Sequence, residues 1–468
     1  MHRRWQYKIA QYRAIQYCGI AAEGQSTMLH WDNSYVRQHL LKGNFGFEKE
    51  SLRVYGDGTF SHTRDPFVSD PYIEKDFCEN QVEINTGVHE NVSGAIQELQ
   101  FHHHRIISVL QNLPRKEYLW PCSNPPYIQN EKDIPIAQFE GNEKEQTVYR
   151  EYLSSKYGRY KMTFSGIHVN FSFSEELLRA DYACEMENKR AKDHAKELTF
   201  EEYKNRLYLD LAQGLCVCGW LLTSLTAASP VLDSSYYEKG VYGNDYFTGM
   251  ASVRCSEMGY WNEFSPIFDY SSITSYANSI QRYVDKGILQ APRELYYPIR
   301  LKPQGKNTLS RLRTLGVDHI ELRMFDLNPF ADAGLDKRDV IFAQLLMIYL
   351  VSKQQKLLSD DEQVRAVQNF KNAAHFDLKV VPIITPSGVS MSVADAGLKI
   401  LGNMKKFYSS LSLQKETLKG NRIEEVLNFE LRKMEEPECR YAWKMRKEWK
   451  EGFVDTGLKL MHEQQDQK

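Results

Sequence analysis

Two glutamates separated by one residue mark the first part of the chain whose side chains could do chemistry. Glu48 and Glu50 lie in the segment GFEKESLRV, which alternates in the manner of a β-strand. Side chains two residues apart on a strand point to the same face, so both carboxylates project together. Two carboxylates ~4 Å apart repel by about 1 kcal/mol in water and by roughly four times as much near a protein surface. We therefore expect either a cation between them or an exposed strand whose acids are simply solvated.

A second acidic segment, DFCENQVEINT, spans residues 76–86 and adds Asp76 and Glu83. Glu83 lies on the polar face of an alternating strand, but Asp76 has the opposite parity. If both bind the same cation, the chain must turn or bulge near Glu79. Glu79 itself is more typical of a turn or capping acid than of a ligand.

A histidine joins these acids in the segment SGIHVNFS, residues 165–172. His168 and Asn170 share the polar face of a strand whose other face is apolar. A single histidine in a strand is commonly structural, but a neutral imidazole among carboxylates is also a normal ligand for a divalent cation. Both interpretations stay open at this residue.

The fourth segment, ELRMFD, places Glu321 and Arg323 on one face of a strand. A carboxylate can hold a metal ion while a neighbouring guanidinium bonds phosphate oxygens; an internal ion pair is the alternative. Several acids with one imidazole favour Mg(II) or Mn(II) over zinc and suggest nucleotide chemistry. The phosphate loop GxxxxGKS/T and a usable GxGxxG are absent, so any ATP must be held by metals and basic side chains.

Six strand-like segments must position these side chains, because they show period-two alternation or are rich in β-branched and aromatic residues. They are residues 45–54, 81–86, 162–173, 248–253, 297–302 and 319–325. Segments with a helical period separate them, and after Pro329 the pattern becomes mostly helical. The predicted helices are residues 91–113, 201–228, 271–284, 338–358, 361–374, 393–412, 423–434 and 441 to the end. We expect an α+β unit in which helices wrap a sheet.

The first 27 residues differ from the rest, being rich in Arg, Tyr and Gln with a single acid. We expect residues 1–27 to be a disordered extension; an organellar transit peptide, or an upstream start codon with Met28 as the working initiator, are the alternatives. Residues 28–468 are expected to form one catalytic domain. Its sheet core is placed at about 43–330 and its helical flank at about 331–468.

The composition, 42% hydrophobic and 26% charged over 468 residues, is that of an ordinary globular protein. A net charge of -2 gives no general attraction to nucleic acid or to an anionic membrane, so we expect small-molecule partners and neither of these. Eight cysteines form no disulfide framework or zinc spacing, which predicts reduced thiols and a cytoplasmic location. Polar residues interrupt the apolar run at 211–232 and Pro230 closes it, which predicts a buried helix.

The four chemical segments resemble those of bacterial-type glutamate–cysteine ligases, including the first half of the bifunctional glutathione synthases. The motifs that occur in that family's order are GFEKESLRV, DFCENQVEINT, LWPCSNPPYI, SGIHVNFS, ASP at 228–230, SVRCSEMGY, ELYYPIRLK and HIELRMFDLNPF. They cover residues 45–330, and the helical tail agrees only in general character. The resemblance implies a glutamine-synthetase-like fold, a curved antiparallel six-stranded sheet whose concave face holds metals and ATP, with flanking helices and a helical C-terminal region.

The resemblance also implies roles for individual residues. The implied magnesium ligands are Glu48, Glu50, Asp76, Glu83, His168 and Glu321. Arg254 resembles the arginine that engages a substrate carboxylate, while Tyr260 and Tyr296 resemble walls of a cysteine pocket. Arg323 resembles the phosphate-binding arginine and forms with Glu321 the candidate catalytic pair, and Arg300 is a further candidate for the same positive field.

The activity implied is the ATP-dependent joining of the γ-carboxylate of L-glutamate to the amine of L-cysteine through a γ-glutamyl phosphate. Two departures from the family are visible. Val169 replaces a tyrosine often found beside the histidine, on the opposite face of the strand, and the ATP-grasp half of the bifunctional relatives is missing from this chain. We therefore expect only the first step of glutathione biosynthesis. A related ligase that uses another amine and a catalytically silent homologue are the alternatives.

Overall fold

The computed structural model describes residues 29–191, 198–259, 261–353, 355–413, 417–418 and 421–466. The expected extension at residues 1–27 and the candidate pocket residue Tyr260 lie outside the described residues. The division of the chain into an extension and one catalytic domain therefore stays a prediction.

Thirteen strands form within the described residues, and seven of them build one antiparallel sheet. In chain order the strands are β1 (Gly43–Tyr55), β2 (Ile73–Lys75), β3 (Gln81–Asn85), β4 (Glu117–Leu119), β5 (Gly166–Phe173), β6 (Val231–Asp233), β7 (Asp245–Phe247), β8 (Ile299–Lys302), β9 (His319–Asp326), β10 (Pro382–Ile384), β11 (Ser390–Ser392), β12 (Thr417–Leu418) and β13 (Asn421–Arg422). The main sheet has the order β2-β3-β1-β5-β9-β8, and β4 pairs with the far end of β1. The predicted antiparallel sheet of six strands is thus confirmed, with β4 as a seventh strand.

The alternation in the sequence identifies five of the six expected strands. The strand expected at residues 248–253 is wrong, because Gly249 has φ 85° and the N–H groups of Ala251 and Ser252 both donate to the carbonyl of Ala374. These residues form isolated bridges rather than a strand. The strands β2 and β4 escape prediction because three residues are too few to show a period.

Fourteen helices of at least six residues flank the sheet in the described part of the chain. They are α1 (Ser34–His39), α2 (Val92–Gln111), α3 (Lys144–Tyr157), α4 (Glu175–Ala191), α5 (Phe200–Cys218), α6 (Trp220–Thr226), α7 (Ile273–Asp285), α8 (Leu309–Leu315), α9 (Lys337–Val351), α10 (Asp360–Ala373), α11 (Val393–Ser410), α12 (Ile423–Glu435), α13 (Tyr441–Glu448) and α14 (Phe453–Gln465). Every helical segment expected from the sequence contains a helix. The region after residue 331 is mostly helical, as predicted, and also carries the short strands β10 to β13.

A bend at Gly219 divides the apolar run that the sequence predicts as one buried helix. The axes of α5 and α6 differ by 56°. A Cβ at Gly219 would lie 2.5 Å from the carbonyl oxygen of Leu215, so the bend requires glycine. Among the described residues no single helix is long and apolar enough to span a membrane, and this bent pair meets that test only when its two helices are joined. All seven residues of α6 are buried, in agreement with the predicted core helix.

The main sheet has an apolar face and a polar face, because successive side chains of a strand alternate. The apolar face packs against helices that include α2, α5 and α6. Its buried side chains include Phe47, Val82, Ile84, Val169 and Leu322. Each such burial contributes ~1.5–3 kcal/mol, which holds the register of the strands. The intervening positions therefore present their polar side chains on the other face.

Candidate active site

Glu48 and His168 are opposite each other in the β1–β5 register. Nδ1 of His168 lies 2.8 Å from Oε2 of Glu48, and Nδ2 of Asn170 donates to Oε1 of the same carboxylate at 3.0 Å. Burial, followed by the charge of Arg323, lowers the pKa of His168. A neutral imidazole beside a carboxylate can act as a metal ligand.

A bulge between β5 and β9 brings Glu321 and Arg323 to the same imidazole. The register of the two strands shifts at His168, where β9 has one residue more than β5. Oε1 of Glu321 lies 3.7 Å from Nδ1 of His168, and Nη1 of Arg323 lies 3.5 Å from it. Bulges of this kind redirect side chains and are common next to active sites.

Glu48, His168 and Glu321 offer ligand atoms that all lie within 4.8 Å of one another. Oε2 of Glu321 is buried and has no hydrogen-bond partner among the described residues. A buried carboxylate oxygen without a partner is unfavourable, because its lost hydration is not replaced. Two carboxylates, one of which has this oxygen without a partner, and one imidazole therefore fit a divalent cation.

A hairpin explains how Asp76 and Glu83, which have opposite parity in the sequence, lie on the same face of the sheet. The strands β2 and β3 are antiparallel neighbours, and the chain turns between them near Glu79, as the sequence requires. The N–H of Asp76 donates to the carbonyl of Gln81 at 3.0 Å, which puts Asp76 on the same face as Glu83. Glu50 lies opposite Glu83 in the β1–β3 register, so acids of β1 and β3 share this face with Asp76.

Glu79 stabilises a turn, which is the role that the sequence favours over that of a metal ligand. Its carboxylate lies 3.0 Å from Nζ of Lys75 and accepts from the N–H groups of Asp65 and Gln138. These contacts join the hairpin turn to two loops.

The crowding of acids changes their pKa values. Burial, followed by the charge of Asp76, raises the pKa of Glu50 to about 8. Burial and Asp76 also raise the pKa of Glu83 well above its usual range. Burial acts in the same direction on Glu321, but the charge of Lys302 and of further cations holds its pKa well below the usual range. Acids that retain protons without a compensating charge are typical of sites that accept a cation.

Basic side chains surround Glu321. Nζ of Lys302 and Nη1 of Arg323 lie 3.0 Å and 3.2 Å from its Oε1. Arg300 is opposite Glu321 in the β8–β9 register, but its guanidinium donates to the carbonyl of Arg293 at 2.9 Å, and burial lowers its pKa. Sequence reasoning missed Lys302, although its position two residues after Arg300 on a strand is a signal that could have found it.

A cavity of about 270 Å³ collects these groups. Its lining contains all six candidate metal ligands together with Arg300, Arg323 and Tyr296. Polar residues in the lining that the sequence did not indicate are Arg150, Arg293, Lys302 and Asn307. No period or motif marks Arg150, because it reaches the cavity from α3, outside the sheet.

Arg254 and Tyr296 line a smaller cavity of about 50 Å³ beside the first. Nη2 of Arg254 donates to the carbonyl of Arg323 at 3.0 Å, and its Nη1 lies 3.8 Å from Oδ1 of the buried Asp326. Tyr296 and Arg323 line both cavities, so the two spaces adjoin. The role expected for Tyr260 concerns a residue outside the described part of the chain.

The comparisons with known sequences agree with this geometry. The model of the family described as Glutamate-cysteine ligase matches residues 30–287 and 265–373. The chain is 34% identical over 440 residues to the glutathione biosynthesis bifunctional protein GshAB of Listeria innocua, a match that covers 91% of this chain and 55% of that protein. It is 33% identical over 442 residues to the protein of the same name from Clostridium perfringens, with 92% and 54% covered. The chain spans about half the length of the curated relatives it matches.

Solved structures share the fold. The bifunctional glutathione synthetase from Pasteurella multocida aligns with a TM-score of 0.77 at 24% identity over 94% of this chain and 55% of that one. The glutamate–cysteine ligase from Francisella tularensis, solved in complex with AMP, aligns with a TM-score of 0.79 at 22% identity over 91% and 89%. Since the family model matches well over half of the residues, the chain belongs to the glutamate–cysteine ligase family.

Proposed function

We propose that the chain joins the γ-carboxylate of L-glutamate to the amine of L-cysteine with ATP, giving γ-glutamylcysteine, ADP and phosphate. This is the first step of glutathione biosynthesis. The observation that carries the proposal is the convergence of Glu48, His168 and Glu321 within 4.8 Å, with Arg323 3.2 Å from Glu321. Such a group suits a divalent cation and the phosphates of a nucleotide together. Membership of the glutamate–cysteine ligase family supports glutamate and cysteine as the substrates.

Metal ions are held by the acids of the polar face and one imidazole. We assign as ligands of these ions Glu48, Glu50, Asp76, Glu83, His168 and Glu321. The buried Oε2 of Glu321 and the raised pKa of Glu50 and Glu83 support this assignment. A donor set rich in oxygen favours Mg(II), which Mn(II) can replace. When bound, the ion supplies positive charge that offsets the charge of the nucleotide phosphates.

The basic side chains around Glu321 bind the phosphates from the other side. Arg323 contacts the oxygens of the transferring phosphoryl group, since a guanidinium donates two parallel hydrogen bonds to such oxygens. Lys302 contacts the carboxylate of Glu321, as Arg323 does, and adds a second positive charge. Arg300 contributes to the positive field, while its Nη2 donates to the backbone carbonyl of Arg293.

Residues of the adjoining cavity contact parts of the two amino acids. Arg254 engages a carboxylate of glutamate, and its guanidinium is held in place by the carbonyl of Arg323. Tyr296 and Trp261 supply the ring surfaces of this cavity and suit the side chain of cysteine. By the family resemblance, we also propose a role in cysteine binding for Tyr260, which is outside the described residues. A positive charge next to apolar rings is the arrangement that an amino-acid carboxylate and a thiol side chain require.

Both nucleophiles in this reaction come from the substrates. A γ-carboxylate oxygen of glutamate attacks the terminal phosphorus of ATP, the bond from that phosphorus to the bridging oxygen breaks, and ADP leaves. The nitrogen of cysteine then attacks the acyl carbon, phosphate leaves, and the nitrogen releases a proton. The residues of the chain align the reactants and offset charge, which are the main contributions to phosphoryl transfer.

We place this reaction in the cytoplasm. The seven cysteines of the described residues are free thiols, which suits a reducing compartment. The partners proposed are L-glutamate, L-cysteine and ATP, without a nucleic acid or a membrane.

Phosphate release from ATP tests the proposal. The protein is incubated with Mg(II), ATP and glutamate plus cysteine, 2-aminobutyrate, alanine or glycine, and the product mass is determined. We expect the fastest release with cysteine and the mass of γ-glutamylcysteine. Phosphate release with a different amine only would support the metal site but contradict cysteine as the substrate. No phosphate release with any amine would favour a catalytically silent homologue.

A further inference from the structure

The smaller cavity beside the acid cluster has a buried hydroxyl group in its wall. Thr223 lies on α6, whose seven residues are all buried, and it lines this cavity of about 50 Å³ together with Arg254 and Tyr296. Within the described part of the chain, Oγ1 of Thr223 has no hydrogen-bond partner. A buried hydroxyl without a partner is unfavourable, because its lost hydration is not replaced. The hydroxyl therefore suits a ligand group that can share a hydrogen bond with it.

Two other hydroxyl groups of the same helix differ from that of Thr223. Oγ of Ser224 donates to the carbonyl of Leu221 at 2.8 Å, and Oγ1 of Thr226 donates to the carbonyl of Leu222 at 2.8 Å. Serine and threonine hydroxyls in helices commonly bond back to the preceding turn in this way. Of the three residues, only Thr223 lines the cavity. The hydroxyl without a partner is thus the one next to the space where a ligand can lie.

Neighbouring polar side chains of the cavity are already engaged within the protein. Sγ of Cys255 donates to the carbonyl of Met324 at 3.4 Å. The hydroxyl of Tyr297 lies 3.2 Å from Sγ of Cys216. We therefore expect Thr223, rather than either of these groups, to form a hydrogen bond with a short side chain in the cavity.

The size and the surface of the cavity suit a short side chain that contains sulfur. A single water requires ~10–15 Å³ of such space, so about 50 Å³ has room for roughly three to five heavy atoms. Trp261 and Phe370 contribute ring surfaces, and Met324 contributes a further apolar side chain. Sulfur makes favourable contacts with aromatic rings and is a weak hydrogen-bond acceptor.

We propose that Thr223 determines the choice of amine substrate by donating a hydrogen bond from Oγ1 to the sulfur of cysteine. This inference rests on the proposed function and names a residue that selects its substrate. In 2-aminobutyrate a methyl group replaces the thiol, so the hydroxyl stays without a partner when that amine is bound. A site with a buried hydrogen-bonding group discriminates against an analogue that lacks the matching group.

Phosphate release with Mg(II), ATP and glutamate tests the proposal when kcat/KM is measured for cysteine and for 2-aminobutyrate. The wild-type protein is expected to prefer cysteine by at least about threefold. Thr223→Val keeps the shape of the side chain and removes the hydroxyl, so the ratio of the two kcat/KM values should fall by roughly 3- to 10-fold. Thr223→Ser keeps the hydroxyl and should retain most of the preference. Thr226→Val is the matched control, because that buried threonine of the same helix does not line the cavity.

Three results would overturn the proposal: equal kcat/KM values for the two amines in the wild-type protein, an unchanged ratio in Thr223→Val, or the same fall in Thr226→Val. The first comparison uses the wild-type protein alone, so it tests the proposal even if Thr223→Val fails to fold. Turnover with both amines at an unchanged ratio would contradict this inference and leave the proposed function in place. Absence of phosphate release with every amine would contradict the proposed function and the role of Thr223 together.

Discussion

Gly166 and Arg254 are in such close contact that only a glycine fits beneath the guanidinium. A Cβ built at Gly166 would lie 2.0 Å from Nη2 and 2.1 Å from Cζ of Arg254. The N–H of Gly166 also donates to Oε2 of Glu50 at 2.9 Å. One glycine at the start of β5 thus joins the proposed substrate arginine to the acid cluster.

The variant Gly166→Ala should fold and bind glutamate poorly. The added methyl group meets the end of a flexible side chain, so Arg254 moves and the backbone stays in place. Loss of a hydrogen bond to a charged group costs ~1.5–3 kcal/mol, which corresponds to a rise in the KM for glutamate of roughly 10- to 100-fold. Phosphate release at varied glutamate and varied cysteine measures both KM values. Gly402→Ala is the matched control, because no atom lies within 4 Å of its added methyl group; equal KM values for the two variants would contradict the role of Gly166.

The variant Glu321→Gln should lose at least about a hundredfold in kcat and stay folded. The change removes the carboxylate that lies 3.0 Å from Lys302 and 3.2 Å from Arg323, but it keeps the size of the side chain. Turnover and thermal unfolding are measured together. Glu79→Gln is the control, since that acid bonds Lys75 and two loops instead of the cluster, and it should retain activity within a few-fold. Near-normal turnover of Glu321→Gln would contradict the assignment of Glu321 as a metal ligand.

The stabilisation of the protein by Mg(II) should increase from pH 6 to pH 8. The folded protein raises the pKa of Glu50 from the ordinary value of 4.5 to about 8. Between these values the metal-free folded state retains a proton that the unfolded state has lost, so the stability contributed by this group falls as pH rises. A cation requires the ionised carboxylate, so it binds better toward pH 8.

Melting temperatures with and without Mg(II) at the two pH values measure this effect. The variant Glu50→Gln cannot titrate at this position and should show a smaller difference between the two pH values. The same Mg(II) shift at pH 6 and pH 8 in the wild-type protein would argue against Glu50 as a ligand.

The variant Lys302→Met should lower kcat by roughly 10- to 100-fold. Its ammonium lies 3.0 Å from Oε1 of Glu321, beside the proposed phosphate site, and methionine keeps the length of the chain without the charge. Steady-state phosphate release compares it with Lys306→Met, an exposed lysine of the following loop. If both variants keep full activity, Lys302 has no part in the reaction.

The local pattern of the sequence determined which side chains share a face of the sheet. Glu48 with Glu50, and Glu321 with Arg323, are separated by two residues, and the backbone geometry of a strand alone directs each pair to one side. Apolar neighbours of these pairs, such as Phe47 and Leu322, showed which face would be buried. The expected turn near Glu79 followed from the same parity argument.

Other features of the site depend on contacts between distant segments. The bulge that brings Glu321 and Arg323 to His168 arises from the pairing of β5 with β9, and no local period reveals a shift in register. Arg150 reaches the cavity from a helix, and residues 248–253 leave the strand that their composition favours because they bond to the end of α10. The sequence by itself thus determined the α+β fold class and the polar face, since these follow from backbone periodicity, and the family resemblance indicated the candidate ligands. Only the tertiary structure decided the register, the bulge and the fit of Gly166 beneath Arg254, because these depend on packing between segments far apart in the chain.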